Sequence, residues 1–146
     1  MPEPDGATAL YDAIVSGLYR FRSVQGRKAL VIVSDGEDTA SRIEYNAMLN
    51  YARASRVPLY FIGVDIGIGG GGKMRALADE TGGRAYFIRN VEDLEKTYEQ
   101  LEAELRTQYL LRYYTETTKK DQKYRTVDVK TTRKETRVRT VRGFIP

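Results

Sequence analysis

Arg27-Lys28-Ala29-Leu30-Val31-Ile32-Val33-Ser34-Asp35-Gly36-Glu37-Asp38 is the stretch on which the fold turns. It opens basic, runs through apolar residues rich in β-branching, and becomes abruptly acidic. A short apolar run of this kind, closed by Asp-Gly, reads as a strand buried on both faces. That implies a parallel sheet with helices on either side. Asp35 then falls just past the carboxyl end of the strand, where ligand sites of open α/β sheets collect. A carboxylate placed there suits Mg²⁺, a hard cation that takes oxygen ligands. Ser34-Asp35-Gly36 is equally good turn chemistry, with Gly36 taking a dihedral that other residues avoid.

Working outward, helical and strand patterns alternate. Thr8 to Arg22 carries Leu10, Ile14, Leu18 and Phe21 on one stripe, which predicts an amphipathic helix before the strand. After it, Ser41-Arg42-Ile43-Glu44 has the spacing of a capping box and predicts a helix from about Arg42 to Ser55. Leu59–Val64 reads as a second strand, ended by Asp65 and a glycine-rich loop. Lys73–Glu80 is a short helix stopped by Gly82-Gly83, and Ala85–Ile88 is a third strand. Asn90 stands as the cap of a fourth helix, whose face is Val91, Leu94, Tyr98, Leu101 and Leu105. The expected class is α/β: a partial doubly wound, Rossmann-like parallel sheet with flanking helices over residues 1–106.

Beyond Thr107 the rhythm changes. Tyr109–Tyr114, Tyr124–Thr131 and Thr136–Arg142 are β-type runs, with turns at Lys119–Gln122 and Arg133–Glu135. They predict an antiparallel meander with one solvated face over residues 107–146. Charge divides at the same place. Residues 107–146 hold 11 Lys/Arg against 4 Asp/Glu, whereas residues 1–106 hold 13 against 16. A boundary near Thr107 follows.

Composition narrows the chemistry. The 146 residues are enough for a real core, with 41% apolar and 30% charged content. With no Cys there are no disulfides, no thiol nucleophile and no thiolate metal site. The absence of His removes the commonest general base and the commonest transition-metal ligand. Any metal would be oxygen-bound. No apolar run reaches the length of a membrane span, and no signal peptide is visible. No nucleophile stands beside a base and no Gly-x-Ser-x-Gly elbow occurs, so the expectation is a binding module and not an enzyme.

The ordered set of motifs resembles a known family. Gly6-Ala7-Thr8-Ala9-Leu10-Tyr11-Asp12-Ala13-Ile14, followed by Ala29–Asp38, resembles the second half of a von Willebrand factor type A domain. Leu77-Ala78-Asp79-Glu80-Thr81-Gly82-Gly83-Arg84 and Gln108–Tyr114 are similar to its bacterial branch, in which the domain runs on into a basic β-rich tail. The resemblance implies a protein-binding, adhesion-type module. In that family a metal-ion-dependent adhesion site holds Mg²⁺ at the top of the sheet, and a partner protein adds a carboxylate to the metal. Thr8 matches the family's threonine ligand and Asp35 its aspartate. The Asp-x-Ser-x-Ser segment that supplies the remaining ligands does not occur here, so the implied site is incomplete and Mg²⁺ binding weak or absent. The resemblance also implies a bacterial cell-envelope or secreted setting. The family's strand that flanks Ala29–Val33 is missing as well, which predicts an exposed edge there and a homo-oligomer formed across it.

The alternative function is nucleotide or nucleic-acid binding. Gly67-Ile68-Gly69-Gly70-Gly71-Gly72-Lys73 has P-loop spacing up to the lysine, but Met74 stands where a Mg²⁺-binding Ser or Thr belongs. In the basic extension, Arg125, Lys130, Arg133, Lys134, Arg137, Arg139 and Arg142, with tyrosines among them, could touch phosphates. No nucleic-acid-binding motif accompanies them, and a solvated face with cations guarding an edge is the favoured reading.

Overall fold

The leading amphipathic stripe forms helix α1 (Leu10–Arg20), on which Leu10, Ile14 and Leu18 are buried, and Phe21 follows in one 3₁₀ turn. Our computed structural model describes residues 6–66, 70–90, 92–114 and 123–144. Strand β1 (Leu30–Ser34) comes next, then α2 (Tyr45–Ser55), β2 (Leu59–Val64), α3 (Gly70–Thr81), β3 (Arg84–Ile88) and α4 (Asp93–Arg106). The three strands are parallel in the order β1-β2-β3, with Ile32 opposite Phe61 and Phe61 opposite Ala85. The architecture is therefore α/β, a three-stranded parallel sheet flanked by helices, as the alternating pattern predicts.

The crossovers explain the layers. Both β1-α2-β2 and β2-α3-β3 step the same way across the sheet, and right-handed connections place their helices on one face. Helix α1 joins them there. Leu10, Ile14, Leu18, Met48, Ala52, Met74, Leu77 and Ala78 pack on Leu59 and Phe61, with Leu30, Ile32 and Ala85 at the margin. The other face has α4, whose Leu101 meets Tyr60, Ile62, Tyr86 and Ile88. The far end of α4 is pinned by Glu104, which accepts from the Tyr86 hydroxyl at 3.0 Å and pairs with Arg84 at 3.4 Å. Burial, followed by the charge of Glu104, pushes the Tyr86 phenol up to about 12.

Two expectations need correction here. β1 was read as buried on both faces, yet Val31 and Val33 are exposed while Leu30, Ile32 and Ser34 are half-buried. The reason is coverage: α4 lies over β2 and β3, which leaves the same face of β1 open. In α4 the buried position expected for Tyr98 is taken by Thr97, whose hydroxyl donates to the Asp93 carbonyl at 2.8 Å; Tyr98 is exposed. Val91 lies outside the described residues.

At the opposite end of α3 the chain turns tightly. Gly82 takes φ of 80° and the Gly83 N–H donates to the Ala78 carbonyl at 2.9 Å, which is the bond that closes a Schellman cap. Gly83 lies directly against β2. The buried Thr81 hydroxyl accepts from the Leu59 N–H at 3.0 Å and donates to the Leu77 carbonyl at 2.9 Å, so α3 is bolted to the start of the central strand.

The basic extension contains a small antiparallel sheet of two short strands, β4 (Arg125–Thr126) and β5 (Gly143–Phe144). The Val127 N–H donates to the Arg142 carbonyl at 2.8 Å, extending the pairing. The chain reverses around residues 132–135, with Glu135 at φ of 62°, where the second turn was expected. The first expected turn, Lys119–Gln122, lies outside the described residues. Tyr109–Tyr114 does not form a strand. Its residues are strongly exposed, and a strand needs a neighbour to accept its amides. The extension docks on the ends of α2 and α3: Arg142 donates its N–H to the Glu80 carbonyl, and Arg53 stacks 5.3 Å from the Tyr124 ring.

Candidate functional site

The carboxyl end of the sheet carries the residues singled out by the sequence. Asp35 follows β1 and is exposed; Thr8 precedes α1 and is half-buried. Their segments meet. The Thr8 N–H donates to the Thr39 hydroxyl at 2.8 Å, and the Thr8 carbonyl accepts from the N–H groups of Thr39 and Ala40 at 2.8 and 3.1 Å. The loop that Asp35 opens therefore closes on Thr8. The N-cap position of α1 is Ala9, and no side chain of its own caps the helix.

Asp35 sits in a turn of its own making. Its Oδ1 accepts from the Glu37 N–H at 3.2 Å and from the Ser34 hydroxyl at 3.4 Å, while the Ser34 hydroxyl accepts from the Gly36 N–H at 3.1 Å. Gly36 takes φ of 85°. The turn chemistry legible in Ser-Asp-Gly is in use, and it aims the carboxylate at solvent.

A second cluster, which sequence reasoning missed, locks this end. Asp38 Oδ1 accepts from the Tyr11 N–H at 3.1 Å and from the Ser41 hydroxyl at 2.5 Å. The Ser41 hydroxyl accepts from the Asp12 N–H at 3.1 Å. Asp12 in turn accepts from the N–H groups of Arg42 and Ile43 at 3.1 and 3.0 Å. The first turn of α1 is thus capped by a loop some thirty residues away, and that loop by α1. Partial burial raises the Asp38 pKa, but the Ser41 hydroxyl and the N–H groups of Tyr11, Leu10 and Ser41 outweigh it, leaving the carboxyl below its ordinary value. The expected capping box at Ser41–Glu44 is not used: α2 starts at Tyr45 after an N-cap Glu44 without a side-chain bond. Ser41 is already engaged with Asp12 and Asp38.

These commitments bear on metal binding. The Asp12 and Asp38 carboxylates are taken up by backbone N–H groups and by Ser41. Among the described residues no group of three or more acidic side chains could hold a metal ion. Thr8 and Asp35 supply one neutral hydroxyl and one carboxylate, two of the oxygens in the near-octahedral shell that Mg²⁺ demands.

The glycine-rich loop is described from Gly70 onward, where α3 begins. A cavity of about 470 Å³ opens beside its first turn, lined by Gly71, Gly72, Arg75, Phe87 and Arg89 among others. Lys73 is not among its walls. Its Nζ donates to the Tyr11 hydroxyl at 3.3 Å and lies 5.8 Å from the Tyr45 ring, which itself meets Tyr11 edge-on. The lysine that P-loop spacing would aim at phosphates is used to join α3 to α1 and α2.

No family model matches this chain, and no curated protein matches it. Among solved structures, the chain is similar to one described as an uncharacterized membrane spanning protein from Vibrio fischeri, with a TM-score of 0.47 and 20% identity. That likeness covers 61% of this chain and 52% of the other, so it spans about half of that protein. No helix among the described residues is long and apolar enough to cross a membrane.

Proposed function

We propose that this chain is a protein-interaction module of the von Willebrand factor type A kind, engaging its partner through the carboxyl end of the sheet. The observation that supports this most is the union of the Thr8 segment with the loop opened by Asp35. It presents Asp35 and Glu37, both exposed, on a loop held rigid from beneath by Asp12, Asp38 and Ser41. A recognition loop needs such support to keep its geometry without a ligand. Mg²⁺ is not the source of affinity in this reading, and catalysis has no part in it.

Two measurements test it. Isothermal titration with Mg²⁺ or Mn²⁺ is expected to give no saturable micromolar binding; micromolar binding abolished by Asp35→Ala would refute this account of the donor set. Peptides selected against the chain from a displayed library are expected to shift the backbone amide resonances of Thr8 and residues 35–41. Shifts confined to residues 70–75 in the presence of ATP would instead favour the nucleotide reading. The basic extension supports a second reading, nucleic-acid binding, because the exposed side chains of Arg133, Lys134 and Arg137 form no ion pair among the described residues. A short oligonucleotide that shifts only residues 130–139, with affinity falling as salt rises, would decide for it.

A further inference from the structure

We infer that the outer edge of β3 is a strand-addition site for an acidic segment of a partner protein, which pairs antiparallel with Ala85 and Phe87 and lays carboxylates against Arg75 and Arg89. Among the described residues, the one strand paired with β3 is β2. The Asp65 N–H donates to the Ile88 carbonyl at 3.2 Å, so Ile88 and, by alternation, Tyr86 and Arg84 turn their backbone groups toward β2. Ala85 and Phe87 turn theirs outward. Among the described residues, the N–H and C=O groups of these two have no hydrogen-bond partner. This edge lies on the opposite side of the sheet from the strand that the family places against Ala29–Val33, so the two are independent.

The usual protection of an edge is missing here. Ala85–Ile88 carries no charge, proline or bulge. Arg84, at the start of the strand, is committed elsewhere: it pairs with Glu104 at 3.4 Å, and its guanidinium lies 4.9 Å from the Tyr86 ring. The basic extension blocks the approach before β3, since a Cβ on Gly82 would meet the Thr140 carbonyl carbon at 2.7 Å. An added strand therefore has room from Ala85 toward the carboxyl end. Two outward residues give few backbone bonds, so side chains must set the affinity and the choice of partner.

Those side chains are cationic. In an antiparallel pair, opposed residues share a face. The residue opposite Phe87 falls on the α3 side, and so does the one two positions on, beside Arg89. There the cavity of about 470 Å³ opens between Phe87, Arg89 and the start of α3, with the Arg75 guanidinium 5.1 Å from the Phe87 ring. No carboxylate lines it. Arg75 and Arg89 are exposed, and neither forms an ion pair among the described residues. Glutamates at those two positions of the added strand meet both guanidiniums in charge-assisted hydrogen bonds. Charge thus selects an acidic strand over a basic one. It also selects against a second copy of β3, which is itself flanked by Arg84 and Arg89.

The probe is a short synthetic peptide of alternating threonine and glutamate, added to the full chain. It is expected to slow amide exchange at Ala85 and Phe87 and to shift the side-chain Nε–H resonances of Arg75 and Arg89. A peptide with lysine in place of glutamate should do neither, and methylating the glutamate nitrogens should abolish the protection. Arg89→Glu is expected to weaken binding about tenfold or more with an unchanged circular-dichroism spectrum. Equal binding of the lysine peptide overturns the proposal, as does binding without protection of Ala85 and Phe87. Complete displacement of the peptide by inorganic phosphate at constant ionic strength also overturns it, and would mark a pocket for free anions. Protection of the two amides before any peptide is added would mean that another segment of the chain already occupies the edge, which overturns it too. Shifts confined to Thr8 and residues 35–41 would overturn this site while leaving the recognition loop proposed above intact.

Discussion

Gly83→Ala is expected to destabilise the fold by about 3 kcal/mol, lowering the melting temperature by roughly 10 °C for a domain of this size. A Cβ at Gly83 would meet the Leu59 carbonyl oxygen at 2.0 Å and its carbon at 2.6 Å. Both are backbone atoms of the central strand, so no side chain can move aside. Relief requires β2 to shift from β3 or the α3–β3 turn to lift off. The first breaks the parallel ladder that pairs Tyr60 with Arg84. The second breaks the Gly83 bond to Ala78 and pulls Thr81 from the Leu59 N–H. Gly72→Ala is the control, because nothing lies within 4 Å of a Cβ there. Thermal unfolding followed by circular dichroism checks the pair. Equal melting temperatures for the two variants would show that the approach of Gly83 to β2 is not tight in solution.

How far the sequence speaks depends on whether the cause is local. The strands at Leu30, Leu59 and Arg84 and the helices between them were legible because periodicity and glycine stops act within a few residues. Their parallel order follows from the alternation itself. The candidate site was legible in part. Asp35 was found from its place at a strand end, and Thr8 from the family motif. The hydrogen bonds that bring them together link residues about thirty positions apart, and no local pattern announces them. Ser41 shows the conflict directly. Its spacing to Glu44 reads as a cap for the following helix, but it is already engaged with Asp12 and Asp38 from another helix and loop. Tyr109–Tyr114 shows the other limit. Its residues favour a strand, but propensity supplies no partner, and the run stays exposed.

Asp38→Ala is expected to cost about 2 kcal/mol, less than the sum of its bonds because the carboxylate is partly in contact with water. The substitution leaves the Tyr11 N–H without its cap and frees the Ser41 hydroxyl. Ser41 also receives the Asp12 N–H, so the first turn of α1 loosens as a unit. Thr8, joined to Thr39 and Ala40, would loosen with it. The pH dependence gives a test that simple loss of packing would not mimic. The Asp38 carboxyl titrates below its ordinary value of 3.8 in the folded chain. Its contribution is therefore fully present above that pH and is lost as the pH falls through the depressed value. The stability gap between the native chain and Asp38→Ala should be constant near neutrality and shrink on acidification below about pH 4. Urea unfolding at a series of pH values measures it. Amide exchange should locate the loss at Tyr11, Asp12 and residues 39–43, leaving β2 protected. A gap that stays the same down to the acid limit would mean that Asp38 acts by filling space and not as a charged acceptor, and the support proposed for the recognition loop would fall with it.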